Sequence, residues 1–227
     1  MTPRAFLLGL IVALAIASPV RASGISPDPN VLLMNVRQQQ AAQKGVLHAR
    51  LREKASSTPF RIIWQEGTIR YEFSNPDQIL FLKLGDKSTE MWERQGGQSS
   101  TIIASRFDQR VRGTSVTYED LAFRFLYWPN PTIAGEDHLR TRPAWILQVI
   151  SPGKSSRYGV VRIWIDKESN ALLRMEGFDY QGRSIKRFEV VSAQKLKGQW
   201  LLKEMRIEER DPATEKVIDR AYLTISS

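Results

Sequence analysis

From Val46 onward, apolar residues fall on alternate positions, and any fold for this chain must satisfy that period of two. Leu47, Ala49 and Leu51 alternate with His48, Arg50, Arg52 and Lys54. Ile62 and Trp64 alternate with Arg61 and Gln65, and Ile69, Tyr71 and Phe73 with Thr68, Arg70 and Glu72. Successive side chains on a strand point to opposite faces, so each run reads as a strand buried on one side. Leu80, Leu82 and Leu84 follow the turn residues Asn75-Pro76-Asp77, and further strands are expected near 89–94 and 100–106.

The second half repeats the scheme, with strands expected at about 136–141, 144–151, 158–166, 171–180, 184–194, 200–210 and 216–225. Asp166-Lys167-Glu168-Ser169-Asn170, Gln181-Gly182, Lys197-Gly198 and Asp211-Pro212-Ala213-Thr214 supply the connecting turns. Connections this short make consecutive strands antiparallel neighbours. So many short strands in a meander point to a barrel or a strongly curved sheet. No internal repeat or low-complexity linker divides the chain, so one domain is expected.

Two segments depart from this period. Asp28 suits a helix N-cap and Pro29 a first helical position; Val31, Leu32, Leu33 and Val36 then lead to a basic last turn and a Gly stop at Lys44-Gly45. Between the two meanders, Thr117 can cap a helix, Glu119 and Asp120 favour its positive end, and Pro129 ends it. From Tyr118 to Trp128 apolar residues surround the whole helix, which therefore requires burial on all sides.

Arg4, the 13-residue apolar run Ala5 to Ala17 and the small-residue exit Val20-Arg21-Ala22 have the anatomy of a secretory signal peptide cleaved near Ala22. An uncleaved anchor is the alternative, although the run is shorter than the roughly 20 residues that cross a bilayer. Cleavage would remove Arg4 and Arg21, leaving residues 23–227 as a single domain and lowering the net charge from +9 to +7. Export directs that charge toward anionic lipid headgroups, cell-surface polymers or an acidic protein rather than nucleic acid, for which no basic–aromatic motif is present.

The residues that carry most chemistry are scarce. The chain has no Cys and only two His, His48 and His138, which excludes disulfides, thiolate sites, a three-His zinc site and HExxH. His138 stands beside Glu136 and Asp137, but no further ligand or acid–base partner is indicated. Glu119-Asp120 suits a helix start, and Glu208-Glu209 points to opposite faces of a strand. No GxSxG, P-loop or dinucleotide fingerprint occurs. The expectation is a protein that is not an enzyme and has no catalytic residue, metal or cofactor. The aromatics are more suggestive, spread as six Trp, nine Phe and six Tyr over nearly every expected strand. Such a sheet either fills with its own side chains or encloses an apolar cavity.

Several short stretches taken together resemble the LolA-like family of periplasmic outer-membrane lipoprotein-sorting proteins. They are Val116-Thr117-Tyr118-Glu119-Asp120-Leu121, Gly135-Glu136, Trp164-Ile165-Asp166-Lys167, Leu173-Arg174, Tyr180-x-Gly182, Lys186, and Trp200 with Met205. The resemblance implies a mainly β fold with a few helices (α+β). It would be an incomplete, strongly curved antiparallel β-barrel of about 11 strands, with helices covering the open concave side. It further implies that the space between sheet and helices accepts acyl chains or lipidated protein. The lipoprotein chaperone of this family resembles Gly67 to Trp92 but has an Arg-Pro pair where this chain reads Ser74-Asn75-Pro76. A functional Arg is therefore not carried over.

The expected function is a periplasmic carrier for lipid or lipoprotein acyl chains. Alternation assigns Leu51, Ile62, Trp64, Ile69, Tyr71, Phe73, Leu80 and Leu82 to its lining, with Phe123, Phe125 and Leu126 as a movable cover. The alternative is an envelope interaction or sensor module. Its outward stripe His48, Arg50, Arg52 and Lys54 would contact a protein partner or an anionic membrane surface.

Overall fold

A computed structural model describes residues 26–196 and 199–226 of the chain; the expected signal peptide lies outside them. The first meander comprises β1 (Gly45–Glu53), β2 (Ser56–Gln65), β3 (Thr68–Phe73), β4 (Gln78–Leu84), β5 (Thr89–Gln95) and β6 (Gln98–Thr101). The second comprises β7 (Thr132–Leu139), β8 (Arg142–Ile150), β9 (Val160–Asp166), β10 (Leu172–Phe178), β11 (Ser184–Leu196), β12 (Gln199–Arg210) and β13 (Val217–Ser226). All 13 strands form one antiparallel sheet in the order β6-β5-β4-β3-β2-β1-β13-β12-β11-β10-β9-β8-β7. The first and last strands thus pair at its centre, with Leu51 opposite Leu223 and Ala49 opposite Ile225. The sheet is open, because β6 and β7 are edges that do not pair with each other. The mainly β, open-barrel expectation is met, with 13 strands rather than about 11.

Local chemistry sets the hairpins. Glu66 (φ 50°) and Gly67 (φ 72°) form the two-residue link from β2 to β3, which needs positive φ at both positions. Register keeps one face apolar: Phe60 faces Phe73, Ile62 faces Tyr71, and Tyr71 faces Leu80 across β2, β3 and β4.

Helix α1 (Pro29–Ala41) starts as expected, with the Asp28 carboxylate accepting the Asn30 N–H at 2.8 Å and Pro29 in the first turn. It stops before Lys44-Gly45, because Gly45 is already paired with Trp64 in the β1–β2 ladder. Leu32, Leu33 and Val36 form its buried stripe.

The expected helix from Tyr118 to Trp128 is broken. Helix α2 (Tyr118–Ala122) ends at Phe123, whose φ of 49° and ψ of 30° are left-handed, and a separate 3₁₀ turn follows at Arg124–Tyr127. The break lets one apolar segment serve two cores. Tyr118 and Ala122 pack with β1–β5 and β13, whereas Phe125 and Leu126 pack with α1 and β8–β11. A continuous helix would hold both ends on one line. The strand expected near 100–106 also changes: β6 ends at Thr101 and a 3₁₀ turn occupies Ala104–Arg106. From there residues 102–122 cross the concave face, tied to β5 by Ile102 N–H to Met91 O (2.9 Å) and by Thr89 Oγ1 to Ala122 O (3.0 Å).

Candidate functional site: an apolar cavity between two half-cores

Phe123 and Phe188 touch both hydrophobic clusters, and the seam between the clusters encloses a cavity of about 360 Å³. That volume lies in the lower part of the range of roughly 300–1,000 Å³ usual for small-molecule sites. Of the residues assigned by alternation, Leu51, Ile62, Trp64, Ile69, Tyr71, Phe73, Phe123 and Phe125 line it. Leu80, Leu82 and Leu126 do not. Each is fully buried: Leu80 and Leu82 lie in the core cluster with Val111 and Tyr118 of the crossing segment, and Leu126 lies in the cluster that includes α1. That part of the concave surface is already covered.

The far wall escaped sequence reasoning. It includes Phe188, Val190 and Ala193 of β11 and Leu201, Leu202, Met205 and Ile207 of β12. Register shifts between Val190 and Ser192 and between Ser192 and Ala193 break the period that would have revealed them. Gln39, Gln40 and Gln43, at and just past the end of α1, also line the cavity, with Gln39 exposed and the other two half-buried.

Asp120 is the one ionisable acid or base among the described lining residues besides the phenol of Tyr71. Its carboxylate is fully engaged. Oδ2 accepts the Thr117 N–H at 2.8 Å within a capping box, and Oδ1 accepts the Tyr158 hydroxyl at 2.6 Å. Lys186 Nζ lies 3.3 Å from Oδ2 and donates to Ser115 O. Ser115 in turn donates its N–H (2.7 Å) and Oγ–H (2.9 Å) to Glu53. The crossing segment is therefore fixed to β1 and β11 through buried polar groups, each satisfied by another, as burial requires. Burial and the neighbouring Asp120 charge push the Tyr158 phenol well above its ordinary range, so it stays a donor. Burial likewise raises Glu119, which accepts the Arg157 N–H at 3.2 Å. Tyr71 is also raised by burial.

A second hollow of about 880 Å³ has outward-facing His48, Arg50, Arg61, Glu72 and Arg94 in its lining. The expected basic stripe is partly neutralised. Arg52 approaches Glu204 at 3.6 Å, and Lys54, which lies past the end of β1 at φ 52°, pairs with Asp219 at 2.6 Å. Arg50 donates to Ser57 Oγ at 3.0 Å.

Glu136, Asp137 and His138 do not converge. The strand alternation of β7 leaves Glu136 and His138 exposed, with Glu136 paired to Lys167, while Asp137 accepts the Trp164 indole N–H at 2.9 Å. Among the described residues, no group of three or more His, Asp or Glu could hold a metal ion. Among the same residues, no helix is long and apolar enough to cross a membrane.

A family model described as "Uncharacterized protein" matches residues 78–220. No curated protein matches the chain. Among solved structures, the chain is similar to a putative outer membrane lipoprotein-sorting protein domain from Vibrio parahaemolyticus. The TM-score is 0.70 at 16 % identity, covering 86 % of this chain and 89 % of that one. It is similar also to a LolA superfamily protein from Nitrosomonas europaea, with TM-score 0.66, 14 % identity, and 89 % and 93 % of the two chains covered. A DUF1329 family protein from Desulfovibrio piger gives 0.65 at 17 % identity, with 88 % and 92 % covered. The protein thus belongs to the family whose model spans its residues 78–220, and its fold is the LolA-like one of the outer-membrane lipoprotein-sorting proteins.

Proposed function

We propose that the protein is an exported, non-enzymatic carrier that shelters a lipid or the acyl chains of a lipoprotein in its apolar cavity. Residues 1–22 would direct it to the periplasm, residues 23–227 would form the single carrier domain, and transfer toward the outer membrane is the process it would serve. The observation that carries this reading is the cavity itself. Its wall is mostly aliphatic and aromatic, and the one carboxylate among its described residues is already bound by Lys186, Tyr158 and the α2 capping box. Each methylene removed from water contributes about 0.8 kcal/mol, so an alkyl chain binds such a wall by burial alone. A putative lipoprotein-sorting domain sharing this fold supports the reading.

The test is native mass spectrometry of the gently purified protein, combined with displacement of N-phenyl-1-naphthylamine, a neutral apolar fluorophore. A co-purified lipid, or a saturable signal displaced by lipids, supports the carrier. The absence of both sinks it.

A second reading rests on the outer hollow, where the guanidinium of Arg50 has a hydroxyl rather than a carboxylate as its partner. It would make this face a contact for an anionic membrane or an acidic envelope protein. Arg50→Glu should then abolish binding to phosphatidylglycerol vesicles or to the partner without altering the fold. Unchanged binding rejects it.

A further inference from the structure

Resting on the carrier reading, we infer that the cavity takes an alkyl chain whose head is uncharged and hydrogen-bonding: an alcohol, ester or amide rather than a carboxylate or phosphate.

Charge argues for a neutral head. The chain carries 33 Lys and Arg, yet none of them lines the cavity among the described residues. Asp120 is the only carboxylate there, and the positive charge facing it, Lys186, is fully buried against Asp120 and Ser115. Among the described lining residues an anionic head drawn inside would find no free cation, because Lys186 is committed to Asp120 and Ser115, which makes its desolvation costly.

The polar part of the lining supplies the positive half of the selection. Gln39 and Gln40 lie on the α1 stripe that continues from Val36, and Gln43 follows two residues past the helix end. Gln39 already donates to Ser169 O at 3.1 Å. Gln40 and Gln43 are half-buried, and no hydrogen bond engages their amides among the described residues. An amide offers two donors and an acceptor without charge, which matches ester and amide carbonyls and hydroxyls.

Competition for N-phenyl-1-naphthylamine, below micelle concentrations at pH 8, tests this with monolaurin, laurate, dodecyl phosphate and dilauroyl phosphatidylglycerol. Monolaurin should displace the probe at least tenfold more tightly than each of the other three. Gln40→Lys, at the half-buried end of α1, should improve laurate at least tenfold, and Gln40→Leu with Gln43→Leu should erase the preference for monolaurin. Laurate, dodecyl phosphate or the two-chain lipid binding as tightly as monolaurin overturns the inference and leaves the carrier intact. So does a Gln40→Lys protein whose laurate affinity is unchanged. If no lipid displaces the probe, both readings fall.

Discussion

Lys186 Nζ lies 3.3 Å from Asp120 Oδ2 with both side chains wholly buried, and this pair joins β11 to the segment that crosses the concave face. Buried pairs add little against an apolar replacement, but loss of one partner leaves an unpaired charge in the interior. Lys186→Met should therefore cost about 3–5 kcal/mol in urea unfolding. Lys186→Met with Asp120→Asn should cost at least about 1 kcal/mol less than the two single changes added together. Strictly additive effects would mean that the pair is not coupled.

Gly177 makes Tyr158 possible. The Tyr158 ring packs directly over Gly177, so a Cβ there would overlap the ring, and the ring has no free side to move into because Tyr158 is 1 % exposed. Gly177→Ala should cost about 1–3 kcal/mol through overpacking. It should also alter the near-ultraviolet circular dichroism of the buried ring. Gly177→Ala in a Tyr158→Leu background should cost much less, and an equal cost in both backgrounds would refute the packing explanation.

The near wall of the cavity was legible because Leu51, Ile69, Tyr71 and Phe73 alternate with charged or polar residues, which fixes their face; Ile62 and Trp64 keep the same period although Ile63 stands between them. The polar spine was not. Lys186 sits beside Arg187 and reads as a solvated strand cation, since its burial depends on Asp120, 66 residues away, and Ser115, 71 away. One signal was present, since Glu53 continues the apolar parity of Leu47, Ala49 and Leu51 and so had to face inward. The break at Phe123 was hidden for another reason. Its left-handed backbone is imposed by the need to fill two cores, not by any residue preference.

Asp166 should make the second meander acid-sensitive. Burial opposes its ionisation, but Arg142 at 2.6 and 2.7 Å, together with the Ser169 N–H and Oγ–H at 2.8 Å, outweighs burial and holds its pKa at about 2. A pKa lowered by folding stabilises the fold above the ordinary aspartate value and ceases to do so as pH falls through the folded one. Arg142 is partly exposed and screened, so the contribution is on the order of 1–2 kcal/mol. Wild-type protein should therefore exceed Asp166→Asn by that margin at pH 7. The gap should narrow between about pH 4 and pH 2, as measured by thermal unfolding at a series of pH values. A gap that stays constant with pH would assign the role of Asp166 to geometry rather than charge.

The cavity wall and the core behind it should respond in opposite ways. Leu82 is fully buried and does not line this cavity, so Leu82→Ala removes packed atoms and should cost about 2–5 kcal/mol. Leu202 is half-buried and borders the cavity, where added atoms enter existing space instead of displacing neighbours. Leu202→Trp should therefore change stability by less than about 1.5 kcal/mol, the ceiling usual for tolerated hydrophobic exchanges. The same change should weaken N-phenyl-1-naphthylamine binding at least tenfold, because the indole occupies the volume that the probe needs. Full probe binding by a stable Leu202→Trp protein would place the apolar site elsewhere.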